Sequence, residues 1–534
     1  MYLQTIEVSS GGHGGGQLPI GVQHARVLAG KEAIMWARAI GLLVIVIVSL
    51  GFCTLAADEI YPVEILVSTT SDWTDVILSG GTLIVHSYEI LEGRNVPGLA
   101  VHALSAVAVG KQGYDATQVV IRFQAYLTDL TSSWMRITIN KGHIGETTVS
   151  LRTVESAGSD LLASYTHKGV ADASDPANAR TYSLRTTEIT SRVAPQILEV
   201  PGETSLGGQK VLAFYYSWYG IPEGPSGRWV HWNPYKSHRD SAHIPLAGYY
   251  DSQDPETVRR HIHEAKEAGI DGFIASWWGK GTFEDRAFQV LLDVASEESF
   301  LVTVYYEDAN SPAQIISDVN YIVSRYGSNS SFLTVEGLPV IFFYVRVTEK
   351  FSLAEWENVF VELDRQGRRI FAIADGLRNE FLSVFQGIHT YNPVSLPLDL
   401  VAEQYKAGSL LARLQGALFA ATVVPGYDEA YKKASNLFVD RAGGDTYRAY
   451  WNIAHASKPQ WILITSFNEW HEGSEIEPSV EFGTTYLILT AEEAAAWRSG
   501  ASTDTSPADR DGDGVPDSED YCPDFPGSKE TNGC

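Results

Sequence analysis

The sequence predicts an α/β protein: a (β/α)8 TIM barrel, preceded by an antiparallel β-sandwich domain and followed by a short calcium-loop tail. Three observations support this prediction. Residues 209–498 alternate apolar strand patterns with helical patterns, residues 60–200 form short alternating stretches separated by turns, and residues 505–534 contain regularly spaced aspartates. A chain of 534 residues is long enough for two or three domains.

Residues 1–57 are predicted to be an N-terminal extension that ends in a signal peptide or a membrane anchor. Residues 39–57 carry no charge, Lys31 and Arg38 precede them, and two acidic residues follow. This charge distribution favours export of the C-terminal side, and an apolar stretch of this length is also close to the span of a bilayer. We favour a cleaved signal, which places the mature protein outside the cell or at its surface. An uncleaved anchor is the alternative, and it is the only membrane contact that we expect.

The antiparallel domain is read from residues 60–200. Its stretches alternate apolar and polar residues with a period of two, and clusters of Gly, Asp, Asn and Ser separate them, as is typical of a β-sandwich. The stretches are VEILVST, GTLIVHSYEI, QVVIRFQAYL, MRITIN, TTVSLRTV and RTYSLRTTEI. Trp73 and Trp134 could form a platform for a sugar, but we favour core packing for both.

The barrel is read from the change of rhythm after residue 209. Eight apolar strands with intervening helical patterns match the strand number and the length of a (β/α)8 barrel. The predicted strands are 211–216, 271–277, 301–306, 338–344, 369–375, 387–391, 420–425 and 460–466. A helix is predicted over 254–268, with Asp254 as its N-cap and Pro255 in its first turn. An open doubly wound sheet is the alternative, but no Gly-rich phosphate loop follows the first strand.

The net charge and the cysteines restrict the partners and the compartment. A net charge of −26 argues against nucleic acid and against anionic membrane surfaces. Of the three cysteines, Cys53 lies in the predicted leader. Its removal leaves Cys522 and Cys534, and an even pair fits a disulfide formed in an oxidising compartment. The oligomeric state is left open.

The tail carries a predicted calcium site. Carboxylates occupy positions 1, 3, 5, 9 and 12 of a calcium loop, and Gly514 occupies the sharp-turn sixth position. These carboxylates are Asp509, Asp511, Asp513, Asp517 and Asp520. A disordered acidic tail is the alternative. The DGDGVPD core and the CP…GC ending resemble a single thrombospondin type 3 repeat.

The predicted catalytic residues follow the eighth strand. The apolar run Trp461 to Thr465 leads into Asn468-Glu469-Trp470-His471-Glu472-Gly473. Carboxylates at the C-terminal end of a buried strand lie where barrel enzymes place their catalytic groups. Two carboxyl groups three residues apart, flanked by aromatics, suit cleavage of a glycosidic bond. A solvated acidic loop is the alternative. Aromatic and polar residues recur at other strand ends, which favours a carbohydrate cleft.

The barrel resembles glycoside hydrolase family 99, the endo-α-mannosidase and endo-α-mannanase family. The matching text is FYYSWYG, HWN, AGIDGFIASWWG, VPGYD and TSFNEWHEGSEIEP, between about residues 210 and 480. The resemblance implies metal-free, retaining cleavage inside an α-mannose-containing oligosaccharide or polysaccharide. It implies that Glu469 is the base on the sugar 2-hydroxyl, giving a 1,2-anhydro sugar, and that Glu472 is the general acid and then the base.

The resemblance also offers Tyr216, Trp278 and Tyr391 as substrate contacts. Residues of the same strand ends complete the predicted set: Trp218, Trp232, Asn468, Trp470 and His471. Where the family usually has Thr-Gln, this chain has Ser474-Glu475. A carboxylate added there is expected to raise the pKa of neighbouring carboxyls or to contact a different sugar. The alternative function is a cell-surface glycan-binding protein, or a WbsX-type polysaccharide-biosynthesis protein, with little or no turnover.

Overall fold

The computed structural model describes the chain between residues 58 and 500, with short gaps. The gaps are 71–72, 80–81, 93–99, 102–105, 111–118, 129, 131–133, 142–144, 155–159, 169–178, 199–204, 233–240 and 430–436. The predicted leader, the calcium ligands and the Cys522–Cys534 pair lie outside the described residues. Within the described part, no helix is both long enough and apolar enough to cross a bilayer.

Two antiparallel sheets form the N-terminal part of the described chain. The strands are β1 (Asp58–Thr69), β2 (Trp73–Ser79), β3 (Thr82–Glu92), β4 (Ala100–Val101), β5 (Ala106–Gly110), β6 (Val119–Thr128), β7 (Trp134–Lys141), β8 (Thr147–Thr153), β9 (Leu161–His167), β10 (Ala179–Arg185) and β11 (Gln196–Leu198). One sheet has the order β3-β6-β1-β8-β9, with β11 also pairing with β1, and the other has the order β10-β7-β2-β5-β4.

The two sheets share one core, because alternate side chains of each strand point between them. Val63, Ile65 and Val67 of β1 are buried, as are Ile137 and Ile139 of the opposite sheet. The antiparallel fold predicted from the period-two pattern is therefore confirmed. Sequence reasoning placed one strand over 180–189, but the chain turns into a short helix, Thr186–Thr190. Two buried residues three positions apart, Thr186 and Ile189, lie on the inner face of that helix.

Trp134 corrects a second prediction, because it is 43% exposed and does not pack in the core. It lies opposite Arg185 in the register of β7 and β10, and the Arg185 guanidinium is 5.0 Å from its ring centroid. The next residue, Met135, is buried. Alternation along β7 thus places Trp134 on the outer face of the sheet.

The described residues after 204 form a closed parallel barrel, as predicted. Its strands are β12 (Lys210–Tyr215), β13 (Gly272–Trp277), β14 (Leu301–Tyr306), β16 (Leu338–Phe343), β17 (Phe371–Asp375), β18 (Gly387–His389), β19 (Leu418–Val423) and β22 (Trp461–Ile464). Their order follows the chain, and β22 pairs with β12 to close the circle. Three short strands are accessory: β15 (Thr334–Val335), β20 (Tyr427–Asp428) and β21 (Phe438–Val439).

Helices connect successive strands on the outside of the barrel. Those of eight residues or more in the described chain are Pro255–Glu267, Phe283–Glu298, Pro312–Arg325, Leu353–Arg365, Leu398–Leu414, Asp445–Ala456 and Thr485–Ser499. Val345–Thr348 is a single helical turn, and 3-10 turns lie at Ser205–Gly207, Asn379–Ser383 and Ala442–Gly444. The helix predicted over 254–268 begins as expected, since the Asp254 carboxylate accepts hydrogen bonds from two backbone amides of its first turn.

Buried side chains on both faces explain why the barrel strands are continuous apolar runs. In β12, Leu212 and Phe214 pack in the barrel interior, whereas Val211 and Ala213 pack against the helices. Because all eight strands are parallel, their C-terminal ends meet at one rim. The residues that follow those ends are therefore brought together although they are far apart in the chain.

Candidate active site

A cavity of about 460 Å³ opens at the C-terminal rim of the barrel, and we call it the rim cavity. Its lining residues come from the ends of six strands and the loops that follow them: Tyr216, Trp218, His231, Trp278, Glu307, Tyr344, Arg346, Tyr391, Glu469, His471 and Glu472. Its volume lies in the range of small-molecule sites. Seven of the ten residues predicted from sequence as catalytic or substrate-binding line it, including both glutamates.

The turn after β22 fixes the position of Glu469. The Glu469 amide donates a 2.7 Å hydrogen bond to the Ser466 hydroxyl, and the Glu469 carboxylate accepts one of 3.0 Å from the His471 amide. The side chain is only 2% exposed. A carboxylate held by the backbone of its own turn loses little conformational entropy when a substrate binds, so the site is preorganised.

Glu472 accepts a hydrogen bond from the second of two linked tyrosines. The Tyr216 hydroxyl donates to the Tyr391 hydroxyl at 2.8 Å, and Tyr391 in turn donates to Glu472 Oε2 at 2.7 Å. Linked hydrogen bonds of this kind polarise one another in a site of low dielectric constant. Burial, followed by the charge of Glu472, raises the pKa of Tyr391 well above its usual value. Both tyrosines therefore stay protonated and act as donors.

Asp375 positions this tyrosine pair. Its carboxylate accepts hydrogen bonds from the Tyr391 amide at 3.1 Å and from the Tyr305 hydroxyl at 2.9 Å. Burial raises the pKa of Asp375 to about 6, against the lowering effect of these donors. The aspartate lies at the end of β17 and fixes the backbone that carries Tyr391.

Trp232, Asn468 and Trp470 do not line the rim cavity, although all three were predicted as substrate contacts. They are buried behind its wall, and protein partners take their polar groups. Asn468 accepts from the Tyr216 amide at 2.7 Å and donates to the Tyr216 carbonyl at 3.1 Å, so it clamps the first strand end to the last. The Trp232 and Trp470 indole N–H groups donate to the carbonyl and the hydroxyl of Tyr250. We assign these three residues a supporting role.

Glu307 is a cavity carboxyl that the sequence analysis did not select. It follows β14, and its carboxylate accepts a 2.8 Å hydrogen bond from the Ser276 hydroxyl, which accepts one of 3.0 Å from the Trp278 indole. Burial raises the pKa of Glu307 to about 8, and Glu472 adds to the increase. Its position directly after a predicted strand was the feature of the sequence that could have identified it as a site residue. At neutral pH this side chain is largely protonated.

Three further lining residues were also missed. The Arg346 guanidinium lies 5.3 Å from the ring centroids of both Trp278 and Tyr344, which makes it a cation held between two aromatic rings. His231 stacks on Trp218 with 4.5 Å between ring centroids. Tyr344 ends a predicted strand and His231 lies in the quoted HWN text, but Arg346 stands in a helical turn with no sequence signal.

Glu475, the added carboxylate, does not line the rim cavity. Its side chain is 1% exposed and pairs with Arg441 at 2.9 Å and with His243 at 2.8 Å. Arg441 offsets its charge locally. The structure therefore does not support the expectation that Glu475 acts on the neighbouring catalytic carboxyls, and it explains how the turn tolerates a further acidic residue.

The rim cavity presents two glutamates from one turn, a tyrosine donor to one of them and aromatic rings around both. This arrangement suits acid–base chemistry on a polyhydroxylated ring. Within the described residues, no group of three or more His, Cys, Asp or Glu side chains is arranged to hold a metal ion.

Comparisons with known proteins identify relatives of the barrel. Residues 235–487 match the model of glycosyl hydrolase family 99. The chain is similar to the glycoprotein endo-alpha-1,2-mannosidase of Mus musculus, with 27% identity over 323 residues, 52% of this chain and 69% of that protein. It is also similar to the glycoprotein endo-alpha-1,2-mannosidase-like protein of Homo sapiens, with 26% identity over 50% of this chain and 68% of that protein.

A solved structure shares the barrel. The family 99 endo-alpha-mannosidase of Bacteroides thetaiotaomicron matches with a TM-score of 0.50 and 27% identity, over 55% of this chain and 99% of that chain. The likeness therefore covers about half of this chain and nearly all of that enzyme.

Proposed function

We propose that this chain, a glycoside hydrolase whose barrel matches family 99, is an exported, endo-acting enzyme that cleaves internal α-mannosidic linkages with retention of configuration. One observation carries the proposal. Glu469 and Glu472, the two carboxyls expected from the resemblance, line one aromatic cavity at the rim of the barrel. The names of the relatives supply the α-mannoside substrate class.

The first step forms the 1,2-anhydro sugar. Glu469 removes the proton from the 2-hydroxyl, and O2 attacks C1 from the face opposite the leaving group. The C1–O bond to the leaving sugar breaks, and Glu472 donates its proton to that glycosidic oxygen. The hydrogen bond from Tyr391 holds the Glu472 carboxyl in one orientation for this transfer. General acid–base contributions of this kind are about 10²–10⁴ in rate.

The second step opens the anhydro ring. Glu472, now a carboxylate, removes a proton from water, and the hydroxide attacks C1 while the C1–O2 bond breaks. Glu469 returns its proton to O2. Two successive inversions at C1 give net retention, and both glutamates end the cycle in their starting protonation states. The protonated Glu307 carboxyl and Arg346 remain available in the same cavity to bind sugar hydroxyls.

The proposal extends to the two ends of the chain, which lie outside the described residues. Residues 39–57 act as a secretory signal or an anchor, so that the barrel works outside the cell or at its surface. The aspartates at 509, 511, 513, 517 and 520 bind Ca²⁺, and Cys522 pairs with Cys534. Catalysis itself needs no metal.

A glycan screen with product analysis tests the proposal. The enzyme is incubated with α-mannan and with mannose- and glucose-capped α-mannooligosaccharides, and products are sized and examined by proton NMR as they form. We expect oligosaccharide products whose first-formed anomer is α. Release of single sugars from the chain end, or a β anomer formed first, would contradict endo-acting retention. Binding of these glycans without any turnover would favour the glycan-binding alternative.

A further inference from the structure

Behind the wall of the rim cavity lies a buried carboxylate that the proposed mechanism does not use. Glu477 is 4% exposed and follows residues 468–472, the segment that carries Glu469 and Glu472 and that we call the glutamate turn. Glu477 does not line the rim cavity. A carboxylate is costly to bury unless cations or hydrogen-bond donors compensate it, so the partners of Glu477 indicate its role.

Both carboxylate oxygens of Glu477 are engaged. Oε1 lies 3.0 Å from Nε2 of His261 and 3.7 Å from Nη2 of Arg260, and both of these residues belong to the helix that precedes β13. Oε2 accepts a 2.8 Å hydrogen bond from the Tyr250 hydroxyl and one of 3.3 Å from the Trp470 indole. One oxygen therefore faces the helix, and the other faces the glutamate turn.

Glu477 fixes the direction of the Tyr250 hydroxyl. A hydroxyl has one proton to donate and two lone pairs that accept. The Tyr250 proton goes to Glu477, and the Tyr250 oxygen accepts from Asn468 Nδ2 at 3.1 Å and from the Trp470 indole at 3.1 Å. Burial, followed by the charge of Glu477, raises the pKa of Tyr250 well above its usual value, so the hydroxyl keeps this proton.

Tyr250 joins the residues on the two sides of Glu469. Asn468 precedes Glu469 and Trp470 follows it, and their side chains meet on the Tyr250 oxygen. Tyr219 joins the backbone of the same two residues, since its hydroxyl donates to the Asn468 carbonyl at 3.2 Å and accepts from the Trp470 amide at 3.1 Å. Glu469 therefore lies on a segment that is tied across it by both side chains and backbone.

The orientation of the Asn468 amide depends on this arrangement. Its oxygen accepts from the Tyr216 amide, and its nitrogen donates to the Tyr216 carbonyl and to the Tyr250 hydroxyl. If the Tyr250 proton turned toward Asn468, two donors would face each other. Tyr250 can accept from Asn468 because Glu477 takes its proton.

We propose that Glu477 and Tyr250 are positioning residues for Glu469: the buried carboxylate takes the Tyr250 proton, and the Tyr250 oxygen then holds the two neighbours of Glu469 in the geometry that proton removal from the substrate requires. This inference rests on the proposed function, because it takes the role of Glu469 as the base from there. Neither positioning residue lines the rim cavity, and both act through Glu469.

Two conservative substitutions test the proposal. Tyr250→Phe removes the hydroxyl and keeps the ring. Glu477→Gln leaves one acceptor oxygen in place of two, so it cannot serve both the helix and Tyr250. We expect kcat on α-mannan to fall about tenfold in each variant with KM unchanged, since a displaced base loses part of its contribution of about 10²–10⁴.

Tyr447→Phe is the matched control, and it should keep the kcat of the wild type. Tyr447 is fully buried, its hydroxyl is hydrogen-bonded to that of Thr490 at 2.9 Å, and it does not line the rim cavity. Unfolding followed by tryptophan fluorescence checks that each variant is folded. If Glu477→Gln does not fold, Tyr250→Phe decides the question.

Two double variants show whether the effect passes through Glu469. Tyr250→Phe combined with Glu477→Gln should lose no more kcat than either single variant, because both break the same connection. Tyr250→Phe should cost nothing further in Glu469→Gln, where the base is already absent. The slow turnover of Glu469→Gln is measured with α-mannobiosyl fluoride, whose leaving group needs no general acid. A merely structural defect would lower turnover in both backgrounds.

The outcomes separate this inference from the proposed activity. The inference is overturned if Tyr447→Phe loses as much kcat as Tyr250→Phe, if the single losses multiply in the double variant, or if the loss persists in Glu469→Gln. In each of these cases the wild type still cleaves, and the proposed activity stands. If the wild type turns over neither α-mannan nor the fluoride, the proposed activity is wrong and the positioning role falls with it.

Discussion

The buried ion pair between Arg441 and Glu475 offers a direct test of how the turn that carries Glu469 and Glu472 is stabilised. The Glu475 side chain is 1% exposed and that of Arg441 6% exposed, with 2.9 Å between Nη2 and Oε1. Arg441 also donates to the backbone carbonyls on both sides of Ser474. The perturbation is Arg441→Met, which keeps much of the volume but removes the charge and all three hydrogen bonds.

The structure sets the expected cost. Removing one partner of a buried pair leaves an uncompensated charge, and this typically destabilises a protein by about 3–5 kcal/mol. Glu475→Gln should cost less, about 1–3 kcal/mol, because the amide oxygen still accepts from Arg441. In Glu475→Gln, the Arg441 cation also keeps its hydrogen bonds to two backbone carbonyls and its contacts with two aromatic rings. The double variant should cost less than the sum of the single variants, since it leaves no unpaired charge.

Urea unfolding followed by tryptophan fluorescence measures these free energies. Arg365→Met is the control, because the Arg365–Glu362 pair is at the surface, with Arg365 71% exposed. Loss of that pair should change the free energy of unfolding by about 0–1 kcal/mol. The reasoning is refuted if Arg441→Met is as stable as the control, or if the two single effects add in the double variant.

Three other outcomes follow from the site and the tail. Burial raises the pKa of the Glu307 carboxyl to about 8. Between the pKa of this carboxyl in the unfolded chain and pH 8, the folded state therefore binds more protons than the unfolded state. The free energy of unfolding should fall as pH rises through this window, by up to ~1.4 kcal/mol per pH unit. Glu307→Gln should remove that slope in unfolding measured from pH 5 to 8, and parallel slopes would count against the shift. Hydrolysis by a variant truncated after residue 500 should survive EDTA, because the glutamates do the chemistry; loss of activity would show that the barrel needs a metal. The full chain should bind Ca²⁺ with a Kd of about 10⁻⁴–10⁻³ M in calorimetry, and uptake unchanged by Asp511→Ala with Asp513→Ala would leave the tail an acidic linker.

The barrel was readable from the sequence because its strands are buried on both faces. A run such as Val211 to Tyr215 has no polar face that would obscure the pattern, and the next residue, Tyr216, lines the rim cavity. Glu469 and Glu472 were readable for the same reason. Trp134 was misplaced because one aromatic residue at the start of a strand does not reveal which face it takes; the register with Arg185 decides that.

Pairings between distant residues were not readable. Glu475 looked like an addition to the catalytic pair because its partner, Arg441, lies 34 residues earlier in the chain. Asn468 directly precedes Glu469, and Trp470 lies between Glu469 and Glu472 in sequence. The tight turn nevertheless points both side chains away from the rim cavity. Local sequence gives the chemistry of a residue, whereas the direction in which its side chain points depends on contacts made across the barrel.

The central claim is that Glu469 and Glu472 carry the cleavage, and turnover of α-mannan by Glu469→Gln and Glu472→Gln tests it most directly. Both side chains keep their size and part of their hydrogen bonding, so the folded state and glycan binding should persist. We expect each variant to lose at least about 10²–10⁴ in kcat, the contribution of a general acid or base. Turnover within tenfold of the wild type in either variant, with folding intact, would contradict the assignment.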